Sequence, residues 1–81
     1  MPRVFQKNGF VFFFYANEGN PREPLHIHVR KAGNVAKFWV RPAVTLASNS
    51  GFSSMELRWI GEQVAENASL IEEKWHEFFR G

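Results

Sequence analysis

The sequence Pro24-Leu25-His26-Ile27-His28-Val29-Arg30-Lys31 decides the type of fold. Apolar and polar residues alternate along it, which is the pattern of a β-strand with one buried face. Side chains two residues apart lie on the same face of a strand. We therefore expect the apolar side chains of this stretch to face a core, with His26, His28 and Arg30 on the opposite face.

Three further segments carry the pattern of strands, namely residues 3–6, 10–15 and 35–40. Asn8-Gly9, between the first two, is the strongest short signal of a β-hairpin. Residues 10–15 are apolar on both faces, which indicates a strand covered on both sides or in contact with a second subunit. Residues 43–52 are predicted to be a connector that can hold a short strand at residues 44–46.

The C-terminal third of the chain has the pattern of helices. Ser53-Ser54-Met55-Glu56 matches a capping box and predicts a helix that starts near Ser54. Apolar residues then recur at three- and four-residue steps as far as Phe78. This stripe continues across Asn67, which fits one long helix, but Ser69-Leu70-Ile71-Glu72 is a second possible capping box. We favour two helices with a break near Asn67.

These elements predict a single α+β domain over residues 1–81. A small antiparallel sheet of about four strands occupies residues 1–52, and one or two helices in residues 53–80 pack on one of its faces. The surplus aromatic side chains of residues 10–15 suggest a further contact, most simply a homodimer or a cognate partner protein.

Composition narrows the class of protein. The 81 residues include no cysteine, so disulfides and thiolate metal sites are excluded, which suits a reducing cytosol. No apolar run approaches the ~20 residues of a membrane span. The first three residues lead into an alternating strand and not into the apolar core of a signal peptide. We expect a cytoplasmic protein with no membrane-embedded segment.

Charge is distributed unevenly along the chain. Residues 1–52 carry seven Lys and Arg against Glu18 and Glu23, a net charge of +5, whereas residues 53–81 carry three against six Glu, a net charge of −3. A basic sheet and acidic helices are compatible with a polyanionic partner on the sheet side. They are also compatible with attraction between the two halves of the domain, which is the interpretation we favour at this point.

The histidine pair allows several kinds of chemistry. Two imidazoles about 7 Å apart on a strand could act as an acid/base pair, with Arg30 and Lys37 stabilising a phosphate-like transition state, as a metal-independent ribonuclease requires. His26 and His28 could equally be surface residues of a basic strand with no catalytic role. We favour a protein that is not an enzyme.

A metal site would need a third ligand and usually a fourth. The candidates have no spacing that points to the pair: Glu18, Glu23, His76 and Glu77. We predict no metal and no other cofactor; if a metal binds, His26 and His28 are its ligands. His76 sits with Lys74 and Arg80 in the last helical turn, where cations complement the helix dipole.

A binding surface on the sheet is the other candidate site. Its residues would be His26, His28, Arg30, Lys31, Lys37 and Trp39. Lysine and arginine contact phosphate groups, and tryptophan can stack on nucleobases. All three tryptophans, Trp39, Trp59 and Trp75, have strand or helix spacing, which is more often that of core residues. Acidic helices argue against a recognition helix in a DNA groove.

Five motifs of the chain, taken in order, resemble the small bacterial domain-of-unknown-function family 4160. They are residues 10–15, 24–29 with the histidine pair, 36–40, 51–53 with Glu56-Leu57, and the ending Trp75-His76-Glu77-Phe78-Phe79. The family usually has two prolines before the histidine pair, where this chain has Pro24 alone. Members of the family often look like one half of a two-gene cassette, in which the other gene encodes a small partner that resembles a DNA-binding antitoxin.

The resemblance implies a component of a toxin–antitoxin-like module, with His26 and His28 at the signature positions of the family. We expect it to bind a cognate antitoxin-like protein or RNA through its basic, histidine-bearing sheet face. The alternatives are the metal-independent ribonuclease and a metal-binding module.

Overall fold

The computed structural model describes residues 3–16 and 23–79. Its elements are β1 (Arg3–Lys7), β2 (Phe10–Phe13), β3 (His26–Lys31), β4 (Asn34–Trp39), β5 (Thr45–Ser50), α1 (Ser54–Glu66) and α2 (Ala68–Phe79). The predicted α+β class, a sheet followed by helices, is confirmed. The polar loop expected between the second and third strands falls mostly outside the described residues, as do Glu18 and Arg80.

The sheet is an antiparallel meander in the order β1-β2-β3-β4-β5, one strand more than the expected number of about four. The additional strand, β5, lies in the predicted connector, where it overlaps the short strand allowed at residues 44–46 and extends to Ser50. All six of its residues are exposed, so no buried face imposes an alternating apolar pattern on its sequence, Thr-Leu-Ala-Ser-Asn-Ser. Pairing with β4, and not hydrophobic periodicity, makes this segment a strand.

Two tight turns set the register of the sheet. Asn8-Gly9 and Ala32-Gly33 each connect two strands through two residues, and all four residues have positive φ angles, between 52° and 85°. This is the geometry of a type I′ turn, which matches the right-handed twist of the flanking strands. The predicted hairpin at Asn8-Gly9 is confirmed. Ala32 adopts the same conformation, although alanine is less favourable than asparagine at a positive φ.

Replacing Ala32 with asparagine should therefore stabilise the protein. At φ 52° alanine is strained, whereas asparagine is several-fold enriched in the left-handed region. We expect Ala32→Asn to raise the free energy of unfolding by about 0.5–1 kcal/mol, measured by urea denaturation. The reverse change in the matching turn, Asn8→Ala, is the control and should lower it by a similar amount. A loss of stability in Ala32→Asn would contradict this explanation.

Helix α1 begins and ends as its local sequence predicts, whereas α2 begins before Ser69, the first residue of the second possible capping box. Ser53 is the N-cap of α1, its hydroxyl accepting from the backbone N–H of Glu56 at 3.1 Å while the Glu56 carboxylate accepts from the Ser53 N–H at 2.9 Å. The backbone N–H and the side-chain amide of Asn67 both donate to the Gln63 carbonyl, at 3.0 and 2.8 Å. The predicted break near Asn67 is confirmed. Helix α2 begins at Ala68, so Ser69 lies inside its first turn and is not the N-cap.

The main core lies between one face of the sheet, the inner face, and the two helices. Seven of its side chains are inaccessible to solvent, namely Phe12, Ile27, Val29, Val40, Ile60, Val64 and Ile71. Leu25 is 8% exposed and belongs to the same cluster, so the apolar face predicted for the third strand is confirmed. Among the described residues, no helix is long and apolar enough to cross a membrane.

The opposite face of the sheet, the outer face, is partly buried too. Val11 and Phe13 of β2 alternate with the core residues and are 8% and 1% exposed, although neither belongs to the main core. The strand is therefore covered on both sides within one chain, as its doubly apolar sequence allows. The aromatic side chains of β2 consequently provide no reason to expect a partner.

Candidate functional site

The outer face carries the histidine pair. His28 lies opposite Phe13 of β2 and Lys37 of β4, and His26 lies opposite Trp39. The predicted side of the strand is confirmed for both histidines and for Arg30. Only Arg30 is exposed, however, because His26 and His28 are 0% and 7% exposed. They are buried residues and not surface histidines.

His26 is packed as a structural residue. Its Nδ1 lies 3.0 Å from the Pro24 carbonyl oxygen, which can only accept, so this nitrogen carries the proton. The ring contacts three aromatic rings edge-on: His28, Trp39 and Trp75, with centroids 5.1–5.6 Å apart. Trp75 belongs to α2, so His26 joins the outer face to the helical layer. A substrate does not reach a side chain enclosed to this degree.

His28 is placed differently, at the wall of a shallow groove. Its ring stacks on Phe13 with a centroid distance of 5.6 Å and meets the Tyr15 ring edge-on at 4.5 Å. The groove, which we call the outer groove, has a volume of about 250 Å³. It is lined by Tyr15, His28, Val35, Ala36, Lys37, Ser48, Asn49 and Ser50. Within the histidine pair, His26 is thus a buried structural residue, whereas His28 faces the outer groove.

Several side chains that line the groove can donate hydrogen bonds, and Val35 and Ala36 add apolar surface. An imidazole, a phenol, an ammonium group and two serine hydroxyls can each donate to a bound oxygen atom. Among the described residues, none of those that line the groove is acidic. Such a lining favours an anionic group, a phosphate above all, over a cation.

Lys37 is held in place beside the groove. Its ammonium group lies 4.4 Å from the centre of the Trp39 ring and 3.4 Å from a carboxylate oxygen of Glu23. The lysine side chain is 21% exposed, so the contacts orient it without removing it from solvent. Both predicted residues, Lys37 and Trp39, thus lie on the outer face, and Trp39 is half-buried beneath the lysine.

Lys31 does not belong to this surface, contrary to its inclusion in the predicted binding face. It follows Arg30 by one residue, and the alternation of a strand turns its side chain to the inner side. Its ammonium group lies 4.5 Å from the centre of the Phe10 ring and donates to the Asn8 carbonyl at 3.2 Å. Arg30 remains on the outer face, with its guanidinium 5.5 Å from the centre of the Phe13 ring.

The candidate metal ligands are separated in space. Glu23 approaches His26 to 4.0 Å, but His76 lies on α2 with its side chain 73% exposed, 3.8 Å from Glu72. Glu77 pairs with Lys74 at 3.6 Å. Within residues 3–16 and 23–79, no three side chains of the metal-binding types are grouped to hold an ion.

Tyr15, Ser48 and Ser50 line the groove and were not among the predicted site residues. Tyr15 could have been found, because it shares a face with Phe13 in the alternating pattern of residues 10–15. The two serines could not, since nothing in residues 43–52 predicts that they pair beside Lys37. Trp59 and Trp75 pack against or within the core, as predicted.

The fold and the site together define the class of protein: an α+β domain with a histidine-bearing outer groove. The chain matches a family described as a domain of unknown function, DUF4160, over residues 9–76. It therefore belongs to this family, which confirms the resemblance found in its motifs. No curated protein and no solved structure shows significant similarity to it.

Proposed function

We propose that this protein is the binding component of a toxin–antitoxin-like module and that its outer groove binds single-stranded RNA. The observation that carries the proposal is the outer groove, in which His28, Tyr15 and Lys37 lie with two serine hydroxyls, and no carboxylate is among the described residues of the lining. A phosphodiester offers acceptors at every nucleotide and matches such a lining.

The distribution of charge supports a polyanion on this side of the sheet. Of the described residues that precede α1, Glu23 is the only acidic one, whereas six glutamates lie on the two helices. One ion pair among the described residues joins the sheet side to the helices, from Arg41 to Glu72 at 2.9 Å. The opposite charges are thus mostly not neutralised across the core. A polyanion would approach the sheet and be repelled by the helices.

Aromatic rings at the groove suit a single strand better than a duplex. Tyr15 is 39% exposed, and unpaired bases can stack on a phenol ring while their phosphates contact cations. Trp39 lies under Lys37 and contributes by holding the ammonium group. The toxin–antitoxin-like setting rests on the family resemblance, and a cognate antitoxin-like protein is part of this proposal.

A binding titration tests the RNA interface. A fluorescent single-stranded RNA of about 12 nucleotides is titrated with wild type, Lys37→Gln and the control Lys74→Gln, which removes the same charge from α2. We expect Lys37→Gln to weaken binding several-fold and to reduce the salt slope by about 0.7, because one phosphate contact is lost. Lys74→Gln should bind about as well as wild type, because its charge lies on the helical side, away from the groove. Equal losses in the two variants, or no binding by wild type at 50 mM salt, would contradict the proposal.

RNA cleavage is a second candidate, favoured by the place of His28 at the wall of the groove. An imidazole base there could take the proton of a ribose 2′-hydroxyl as it attacks the adjacent phosphorus. The 5′-oxygen would leave with a proton from Lys37 or Tyr15, and a 2′,3′-cyclic phosphate would result. Denaturing gels of the same samples decide between the candidates. Intact RNA in wild type supports binding alone, whereas cleavage that is lost in His28→Ala would make the protein a ribonuclease.

A further inference from the structure

The two edges of the sheet differ in how they are protected. An exposed edge strand offers unpaired N–H and C=O groups to another chain, and charged side chains are the common protection against such pairing. Strand β1 carries Arg3 and Lys7, both exposed. Strand β5 contains neither a charged residue nor a proline. Within the part of the chain that the structure describes, β5 is therefore the edge without charged protection against strand addition.

Exposure at β5 extends beyond its backbone. All six of its side chains are exposed, including Leu46 at 46%. No residue from 42 to 55 is charged, and Met55, at the start of α1, is 82% exposed. This edge therefore presents no charged side chain that would repel an incoming strand.

We propose that β5 pairs antiparallel with β5 of a second copy, so that two five-stranded sheets join into one. A two-fold axis brings a strand against itself, and an uncharged strand meets no like charge in any register. The same operation at β1 would bring Arg3 and Lys7 of the two copies together. Self-pairing is therefore possible at β5 without repulsion, whereas the like charges of the two copies oppose it at β1.

The dimer should be weak. A shift of register opposite Lys37 and Phe38 leaves Ala47 without a β4 partner, and a bulge of this type reduces the regular length of the edge. One short strand also buries less than the ~1,200 Å² of a stable interface. We expect the dissociation constant of the dimer to lie in the micromolar range. Because Ser48 and Ser50 line the outer groove, pairing would set two grooves side by side on one continuous sheet.

Sedimentation of three forms of the full chain tests the proposal. Wild type should form dimers as its concentration rises to about 0.5 mM, a range in which weak interfaces are populated. Ser48→Lys places two like charges near the axis and should weaken the dimer at least tenfold. Gln6→Lys adds the same charge to the exposed β1 edge and should leave it unchanged. Thermal unfolding must show that both variants are folded.

A cross-linking experiment distinguishes β5 from every other surface. The natural chain has no cysteine, so Ser48→Cys and Gln6→Cys each introduce a single thiol on one edge. Mild oxidation should yield a covalent dimer rapidly from Ser48→Cys and slowly from Gln6→Cys. A wild-type chain that stays monomeric throughout, as it would if β5 receives a strand of a different protein, would overturn the proposal. So would a dimer that is insensitive to Ser48→Lys or that links equally well through position 6.

Discussion

His26→Ala should lower the free energy of unfolding by about 2–4 kcal/mol, as large-to-small changes at buried sites do. The ring is inaccessible to solvent and contacts His28, Trp39 and Trp75. Its removal leaves a cavity between the sheet and α2 and deprives the Pro24 carbonyl of its donor. A domain of 81 residues has a total stability of roughly 4–12 kcal/mol, so this loss is a large share of it.

Urea denaturation followed by circular dichroism measures the effect, with the slope m checked for a constant unfolded state. His76→Ala is the matched control, since its side chain is 73% exposed and should change stability by less than about 0.5 kcal/mol. If His26→Ala cost no more than His76→Ala, the buried ring would not support the fold. The hypothesis that His26 has a functional role would then be favoured again.

Gly51→Ala is expected to cost about 3 kcal/mol, from an unfavourable backbone conformation and a direct overlap. Gly51 has a φ of 104°, which residues with a side chain rarely adopt, and a Cβ there would overlap the side chain of Asn34. The glycine lies between β5 and Phe52, whose ring enters the core 6% exposed. Moving this segment would therefore disturb the connection from sheet to α1.

Gly33→Ala separates the cost of the backbone conformation from the cost of the overlap. Its φ of 85° is also positive, but a Cβ at Gly33 meets nothing within 4 Å. We expect this variant to lose only about 1 kcal/mol, which is the cost of the conformation alone. The overlap can be isolated further, because Asn34→Ala should restore part of the stability of Gly51→Ala in a double-mutant cycle. Equal losses at the two glycines, with no coupling to Asn34, would show that the overlap is relieved without cost.

Much of the fold could be predicted because its signals are local. The hairpin at Asn8-Gly9 depends on two residues that tolerate positive φ, and the start of α1 depends on Ser53 and Glu56 bonding each other's backbone. The break at Asn67 follows from an amide that bonds the preceding turn. Each of these features is completed within four residues, so the sequence contains the whole interaction.

The candidate site could be predicted only in part. The alternation of β3 places His26 and His28 on one face, but their burial depends on Trp75 of α2, on Phe13 of β2 and on Tyr15, which follows that strand. Such contacts join residues that are distant in the chain. The error at Lys31 has a simpler cause, since strict alternation already separates it from Arg30.

The sequence by itself determined the class of fold, the turns, the start of α1, the break between the helices, the face of the histidines and the family. Hydrophobic periodicity and hydrogen bonds between near neighbours are sufficient for these. Only the tertiary structure decided that β5 completes the sheet, that His26 is a support, and that His28 shares a groove with Ser48 and Ser50. Strand pairing and burial are set by contacts across the fold, which no short pattern in the chain encodes.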